Sequence, residues 1–178
     1  MNHDRAMNGP TADWEFLLWD TDPAHPPLPV PPWLRLRAAA RTAGALRVLR
    51  RHGWPRAQDR LRDLRPAARP SRAGTPLDPR DAVRLARREV LPCLTVLRLV
   101  APDALCLPRA FAVATYLSTL GLPAEVVVAR QRSSIGGRFA FHAWAELYDE
   151  VLGDVPAVRA GFTVLQRVGA TRLRAEAP

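Results

Sequence analysis

Residues 105–147 constrain the fold more than any other part of the chain, because they predict one helix followed by two strands. Apolar residues recur near helical spacing over residues 105–120, and the run ends at Gly121. A valine-rich segment, 124–130, then predicts a strand buried on both faces. After a polar loop, alternating apolar residues over 139–147 predict a second strand. A helix joined to a pair of neighbouring strands indicates an α+β fold.

Further helices are predicted before this segment, and they give the chain a single main domain. Their predicted bounds are 33–52 (ending at Gly53), 56–64, 78 to about 91, and 93–100 after a break or kink at Pro92. We assign residues 1–32 to an N-terminal extension that includes a proline-rich spacer at 23–32. The extension also holds an aromatic cluster, 14–19, which covers the protein's own core or docks on a partner. Residues 33–178 then form one domain, with its core at about 80–170.

Cys106 occupies the first turn of the predicted helix, a position that stabilises the thiolate form of a cysteine. Pro108 supports this assignment, because proline is tolerated in the first turn, where its missing N–H has no intrahelical partner. Unpaired N–H groups and the helix dipole favour an anion at this position, and the anionic thiolate is the reactive form of cysteine. Cys106 is therefore a candidate nucleophile.

His142 and Asp154 follow Cys106 in an order that suits a base and the residue that orients it. His142 lies on the face of the second predicted strand that points away from the phenylalanines. If residues 148–150 form the turn to a third strand, 151–155, then His142 and Asp154 are diagonal neighbours on one face. The three residues would then form a catalytic triad for acyl transfer or hydrolysis.

Four short segments, 106–110, 121–124, 142–146 and 153–154, together resemble a known family. They are similar to the lasso peptide B protein, specifically its transglutaminase-like leader peptidase part, in the microcin-processing McjB C-terminal family. The resemblance covers about residues 80–170. It implies a transglutaminase- or papain-like cysteine peptidase fold, with N-terminal helices packed on a small antiparallel sheet. Cys106, His142 and Asp154 would be the nucleophile, the base and the orienting residue that remove a leader peptide.

The resemblance also implies partners. A chain of 178 residues fits the split form of the family, in which the peptidase lacks a leader-recognition domain. A separate leader-binding recognition protein would then present the lasso precursor peptide. An asparagine-synthetase-like lasso cyclase, which uses ATP, would close the ring after the leader is removed.

Composition excludes several other classes of protein. We expect a cytoplasmic enzyme, since no apolar run is long enough to span a membrane and the N-terminus does not resemble a secretion signal. Two cysteines make no disulfide framework, and we expect no cofactor and no metal. The net charge of +9 comes from 26 arginines and no lysine, spread along the chain without a nucleic-acid-binding motif. We therefore expect no nucleic-acid partner, although a basic face could attract an acidic peptide.

Each candidate residue also has a structural interpretation. Cys106 could be a small buried apolar residue, His142 a strand histidine with satisfied hydrogen bonds, and Asp154 a turn residue. Cys93 has none of the features of Cys106 and is assigned to the core. For the whole chain, the alternatives are another transglutaminase-like acyl transferase or a non-catalytic peptide-binding module. The backbone N–H of Cys106 would be one donor of the oxyanion hole. The second donor is unassigned, and the candidates are Gln58, Gln131 and Gln166.

Overall fold

The structure, a computed structural model, describes residues 28–68, 70–72, 75–133 and 140–174. The aromatic cluster at 14–19, most of the proline-rich spacer and residues 134–139 lie outside this part. The elements in chain order are α1 Pro32–Arg62, β1 Ser71–Arg72, β2 Thr75–Pro76, α2 Pro79–Val100, α3 Cys106–Thr119, β3 Glu125–Gln131, β4 Phe141–Leu147, β5 Glu150–Leu152, α4 Val158–Gly161, β6 Phe162–Gly169 and α5 Thr171–Arg174. Helices and a small antiparallel sheet confirm the predicted α+β class.

Helix α1 is interrupted at Gly53, and α2 begins with Asp78 as its N-cap, as the sequence predicts. Gly53 interrupts α1 with φ +73° and ψ −177°, so that α1 consists of two helical halves. The second half begins directly after Gly53, earlier than the predicted start at residue 56. Asp78 caps α2 by accepting a hydrogen bond of 2.9 Å from the Asp81 N–H, and Pro79 opens the helix.

The predicted break or kink at Pro92 does not divide the helix, because α2 runs through this residue without interruption. A proline inside a helix removes one backbone hydrogen bond, which the packing of the segments on either side can offset. Val90, Cys93 and Leu97 on both sides of Pro92 are buried in the same core. Continuous burial of one helical face therefore keeps α2 in one piece.

Four strands form the main sheet in the order β5–β4–β3–β6, and every neighbouring pair is antiparallel. α3, β3 and β4 lie close to their predicted positions. Strand β6, which pairs with β3 along its whole length, has no counterpart in the sequence prediction. Helices α1, α2 and α3 cover one face of the sheet, where Val126, Ala143 and Leu147 are buried. A second cluster, Val127, Ala129, Trp144, Val151 and Val158, covers the other face, so β3 is buried on both faces as predicted.

The predicted hairpin register between β4 and β5 is wrong. Leu147 pairs with Glu150, so the turn has two residues, Tyr148 and Asp149, instead of three. Both have positive φ, +48° and +63°, the conformation that two-residue hairpin turns require. Arg159 stabilises the turn by donating a hydrogen bond of 2.6 Å to the Asp149 carbonyl. The third strand also ends at Leu152, three residues earlier than predicted.

Candidate active site

Cys106 is the first residue of α3, as the sequence predicts. The first intrahelical hydrogen bond runs from the Arg109 N–H to the Leu105 carbonyl at 3.1 Å. The amides of Cys106 and Leu107 therefore have no intrahelical acceptor, and Pro108 has no N–H to offer. Among the described residues, no side chain caps this end of the helix. The Cys106 thiol, which is partly exposed, stands beside free backbone donors that suit an anion.

His142 and Asp154 contact each other directly. The His142 Nε2 and Asp154 Oδ2 atoms are 2.7 Å apart, and each side chain keeps 28% of its surface exposed. When Nε2 carries the proton and donates it to the carboxylate, the neutral ring presents its Nδ1 lone pair on the other side. Asp154 can therefore set the imidazole tautomer.

The contact between these residues has a different cause from the predicted one. With the true register, continuing β5 beyond Leu152 would place Asp154 on the opposite face from His142. Instead, Gly153 adopts φ +71°, turns the chain out of the strand, and directs Asp154 toward His142. The predicted contact between His142 and Asp154 is thus present, but it arises from a different backbone geometry.

One cavity of about 290 Å³ is lined by all three predicted residues, Cys106, His142 and Asp154. Its position follows from the short β5, which pairs only with Ala145–Leu147 of β4. Among the described residues, the beginning of β4 therefore has no strand neighbour on this side, and the start of α3 approaches it there. The structure thus places the three residues around one shared space.

An aromatic wall holds the imidazole from the side. The His142 ring centroid lies 6.0 Å from that of Trp144 and 5.5 Å from that of Phe162. Trp144 is itself fixed, since its Nε1 donates a hydrogen bond of 2.7 Å to Glu146. Glu146 is 1% exposed and also pairs with Arg167 and with Arg159. In the sequence, Glu146 lies two residues after Trp144 and so on the same face of the predicted strand, which was a signal for this contact. Phe162 belongs to β6, a strand that was not predicted.

The glutamines considered for the oxyanion hole do not line the cavity. Gln166 donates a hydrogen bond of 2.8 Å to Gln58 and accepts one of 3.2 Å from Trp54, so this pair joins α1 to β6. Gln131 ends β3 opposite Phe162. A charged side chain that was not predicted, Arg109, does line the cavity, one helical turn after Cys106.

Two further structural findings concern other predicted classes. Among the described residues, no group of three or more His, Cys, Asp or Glu side chains is arranged to hold a metal ion. Within the same ranges, no helix combines the length and the apolar character needed to cross a membrane.

A cysteine at a helix start, sharing a cavity with a hydrogen-bonded His–Asp pair on a neighbouring sheet, is the arrangement of proteins built for thiol-dependent acyl chemistry. Comparison with known proteins assigns the family. Residues 34–167 match the Transglutaminase-like superfamily, and the chain belongs to it. The match confirms the transglutaminase-like fold and indicates activity of the cysteine peptidase or acyltransferase type. No curated protein and no solved structure matches the chain.

Proposed function

We propose that this protein is a cytoplasmic cysteine peptidase that removes the leader from a lasso peptide precursor before macrocyclisation. The observation that carries the proposal is the single cavity in which Cys106 meets the hydrogen-bonded pair of His142 and Asp154. Membership of the Transglutaminase-like superfamily supports the acyl chemistry. The resemblance of the four segments around these residues supports the lasso precursor as substrate.

In the proposed reaction, His142 removes the proton from the Cys106 thiol, and the thiolate attacks the carbonyl carbon at the junction of leader and core. The C–N bond breaks as His142 returns the proton to the departing amine of the core. This leaves the leader bound to Cys106 as a thioester. Water, activated by His142, then attacks the thioester, which releases the leader as a free carboxylate and restores the thiol.

The start of α3 supplies the donors for the negative oxygen of the tetrahedral intermediate. The Cys106 and Leu107 amides both lack an intrahelical acceptor, and both belong to the turn that carries the nucleophile. Preorganised backbone donors of this kind contribute strongly to catalysis of acyl transfer. The Leu107 amide is therefore our candidate for the second donor, in place of the three glutamines.

Hydrolysis requires that water can reach the thioester. The His142 and Asp154 side chains each keep 28% of their surface exposed, so water can reach the thioester. A transglutaminase-like acyl transferase is the second candidate function. The two differ in their product, since hydrolysis gives a leader with a free carboxylate and transfer gives an amide.

The proposed partners follow from the family resemblance. A separate leader-binding recognition protein would present the precursor, and an asparagine-synthetase-like cyclase would use the released core. Genes for a short precursor peptide and for both proteins next to this one would support the assignment.

The decisive experiment uses the two cysteines of the chain as matched variants. The precursor and the recognition protein are incubated with the wild type, with Cys106→Ala and with Cys93→Ala, and the products are identified by mass spectrometry. We expect free leader from the wild type and from Cys93→Ala, and no cleavage by a folded Cys106→Ala protein. Cleavage by Cys106→Ala would disprove the mechanism.

Alkylation tests the remaining alternative, a non-catalytic peptide-binding module. Iodoacetamide at neutral pH should modify Cys106 in the native protein much faster than a free cysteine peptide. Cys93 is fully buried, and burial raises the pKa of its thiol to about 12, so it should react only after denaturation. A Cys106 thiol no more reactive than the peptide would favour the binding module.

A further inference from the structure

Two more cavities continue outward from the catalytic cavity, and we call them together the arginine groove. The first, of about 140 Å³, shares Ala104 and Arg109 with the catalytic cavity. The second, of about 680 Å³, shares Ala101, Pro102 and Ala104 with the first. The shared residues belong to the α2–α3 connection and the first turn of α3. The three cavities therefore lie next to one another, from Cys106 toward α1 and the end of α2.

The groove carries excess positive charge. Arg47 and Arg50 line it from α1, Arg98 from α2 and Arg109 from α3, against one carboxylate, Asp103. Within the part of the chain that the structure describes, none of these four arginines forms an ion pair or a side-chain hydrogen bond. Other arginines of the same helices do have acidic partners: Arg35 binds Glu89, and Arg87 binds Glu150. The guanidinium groups of the groove are therefore available to an acidic ligand.

Apolar side chains line the same path. Leu94 and Leu97 belong to the first cavity of the groove, and Leu46 and Leu49 belong to the second. Leu99 in the groove is 82% exposed, and Leu105 in the catalytic cavity is 78% exposed. These two leucines add exposed apolar surface to a path whose walls also carry the partly or fully buried leucines. The complementary ligand carries both carboxylates and apolar side chains.

A peptide fits these features better than a nucleic acid. No aromatic residue is found in the described lining of the groove, so it offers no platform on which bases could stack. Alternating leucines and arginines instead suit a peptide with apolar and acidic side chains. The path also ends at the thiol, where a peptide carbonyl has to be placed.

We propose that the arginine groove binds the part of the peptide substrate next to the scissile bond and selects a segment with acidic and apolar side chains. The proposal rests on the proposed peptidase function. Arg109 stands where the groove meets the catalytic cavity, and it pairs with the acidic residue closest to the bond that is cut. The arginines further along α1 and α2 bind acidic residues more distant from it.

Binding is measured on the Cys106→Ala protein, which cannot turn the peptide over. Three fluorescein-labelled peptides of equal length are compared by fluorescence anisotropy: one of glutamate, leucine and serine, one with glutamine for glutamate, and one with lysine for glutamate. The acidic peptide should bind about tenfold more tightly than the glutamine peptide, since several exposed ion pairs of modest strength add up. Added salt should reduce this difference.

A matched pair of triple variants separates the groove from general charge attraction. Replacing Arg47, Arg50 and Arg98 with glutamine should remove the preference for the acidic peptide. Replacing Arg37, Arg56 and Arg80, which are exposed on the same helices outside the groove, should leave it intact although the net charge falls equally. Thermal melts of both triple variants confirm that they are folded.

Three results would contradict peptide binding in the arginine groove. They are equal binding of all three peptides, an equal loss of the preference for the acidic peptide in both triple variants, and displacement of the acidic peptide by a single-stranded oligonucleotide of higher affinity. Failure of the peptidase function gives a different pattern, because the wild type would then leave the precursor uncut while the acidic peptide still binds. If a neutral substrate were bound as tightly and cut as fast as an acidic one, the peptidase function would stand and the role of the arginine groove in selecting substrate would be contradicted.

Discussion

At the scale of the residue, Asp154 is held by a separate hydrogen bond at each carboxylate oxygen. Oδ1 accepts the Val155 N–H at 2.8 Å, and Oδ2 lies 2.7 Å from His142 Nε2. The carboxylate cannot rotate without losing one of these bonds. A carboxylate held in this way can fix both the tilt and the tautomer of the imidazole, which the aromatic wall supports from the side.

Asp154→Asn is expected to lower kcat by about 10²–10⁴-fold with little change in KM. An amide can keep the bond to the Val155 N–H, but it cannot stabilise the imidazolium that forms when Cys106 loses its proton. Cleavage of a fluorogenic leader–core peptide measures the effect. Asp63→Asn, an exposed residue at the C-terminus of α1, is the matched control and should retain full activity. A folded Asp154→Asn protein with wild-type kcat would contradict the orienting role.

At the scale of the element, the hairpin β4–β5 decides where Asp154 goes. A two-residue turn sets the register, and β5 then stops at Leu152 because Gly153 takes a left-handed conformation. A Cβ atom at residue 153 would lie 3.7 Å from Val90 and 3.9 Å from Val113, so there is ordinary space for it. The glycine is required by the backbone angle and not by crowding.

Gly153→Ala is therefore expected to lower the free energy of unfolding by about 1–2 kcal/mol, the cost of a left-handed conformation in a residue with a side chain. Activity should fall as well, because relief of the strain moves Asp154 away from His142. Urea denaturation and peptide cleavage measure the two effects. Gly161→Ala, where a Cβ atom meets nothing within 4 Å and no positive φ occurs, is the control. Equal behaviour of both variants would show that the turn is not what places Asp154.

The elements also show how far sequence reasoning reaches. Local patterns located α3, β3 and β4, since each has its own periodicity and flanking turn residues. Strand β6 was not assigned, although Phe162, Val164 and Val168 recur at alternate positions; only Val168 and Gly169 at its end are buried. Its pairing with β3 is long-range and has a bulge at Val128–Ala129. The candidate triad was found from chemistry and residue order, whereas its geometry depends on backbone angles at Tyr148, Asp149 and Gly153.

A buried ionic network joins the three long helices. Glu89 of α2 is 1% exposed and accepts hydrogen bonds from Arg35 of α1, the shortest at 2.5 Å. Tyr116 of α3 lies 3.4 Å from the same carboxylate through its hydroxyl. The hydrogen bond to Glu89 raises the pKa of Arg35, and burial raises that of Tyr116. One buried carboxylate thus contacts a side chain from each of the other two long helices.

Removing one partner of the Arg35–Glu89 ion pair should lower the free energy of unfolding more than removing both. Arg35→Met leaves the Glu89 carboxylate buried without a cation and should destabilise the fold by about 3 kcal/mol. Glu89→Leu together with Arg35→Met should recover most of that loss, since an apolar pair needs no desolvation of charge. Chemical denaturation of both variants tests the coupling. If the double variant were no more stable than Arg35→Met, the unpaired Glu89 carboxylate would not be the cause of the lost stability.

At the scale of the whole molecule, the helical layer buries groups that stay neutral in the fold. Cys93 is fully buried in the core of α2, and burial raises the pKa of its thiol from 9.0 to about 12. Burial also raises the pKa of Tyr116, which is 1% exposed. Both groups ionise more easily in the unfolded chain than in the folded one. The stability of the protein is therefore linked to alkaline pH.

The linkage predicts a loss of stability that begins near pH 9. Below this pH, Cys93 is protonated in both states and its contribution is fully present; between about 9 and 12, the unfolded chain alone has released the proton. The free energy of unfolding should then fall by up to about 1.4 kcal/mol per pH unit from this group. For Cys93→Ala, the free energy of unfolding measured with urea should fall less steeply by that amount between pH 9 and pH 11, although the variant is less stable at the start. Leu97→Ala makes a cavity in the same helix but keeps the thiol, and it should show the wild-type slope. Parallel curves for all three proteins would mean that the Cys93 thiol does not titrate differently on folding.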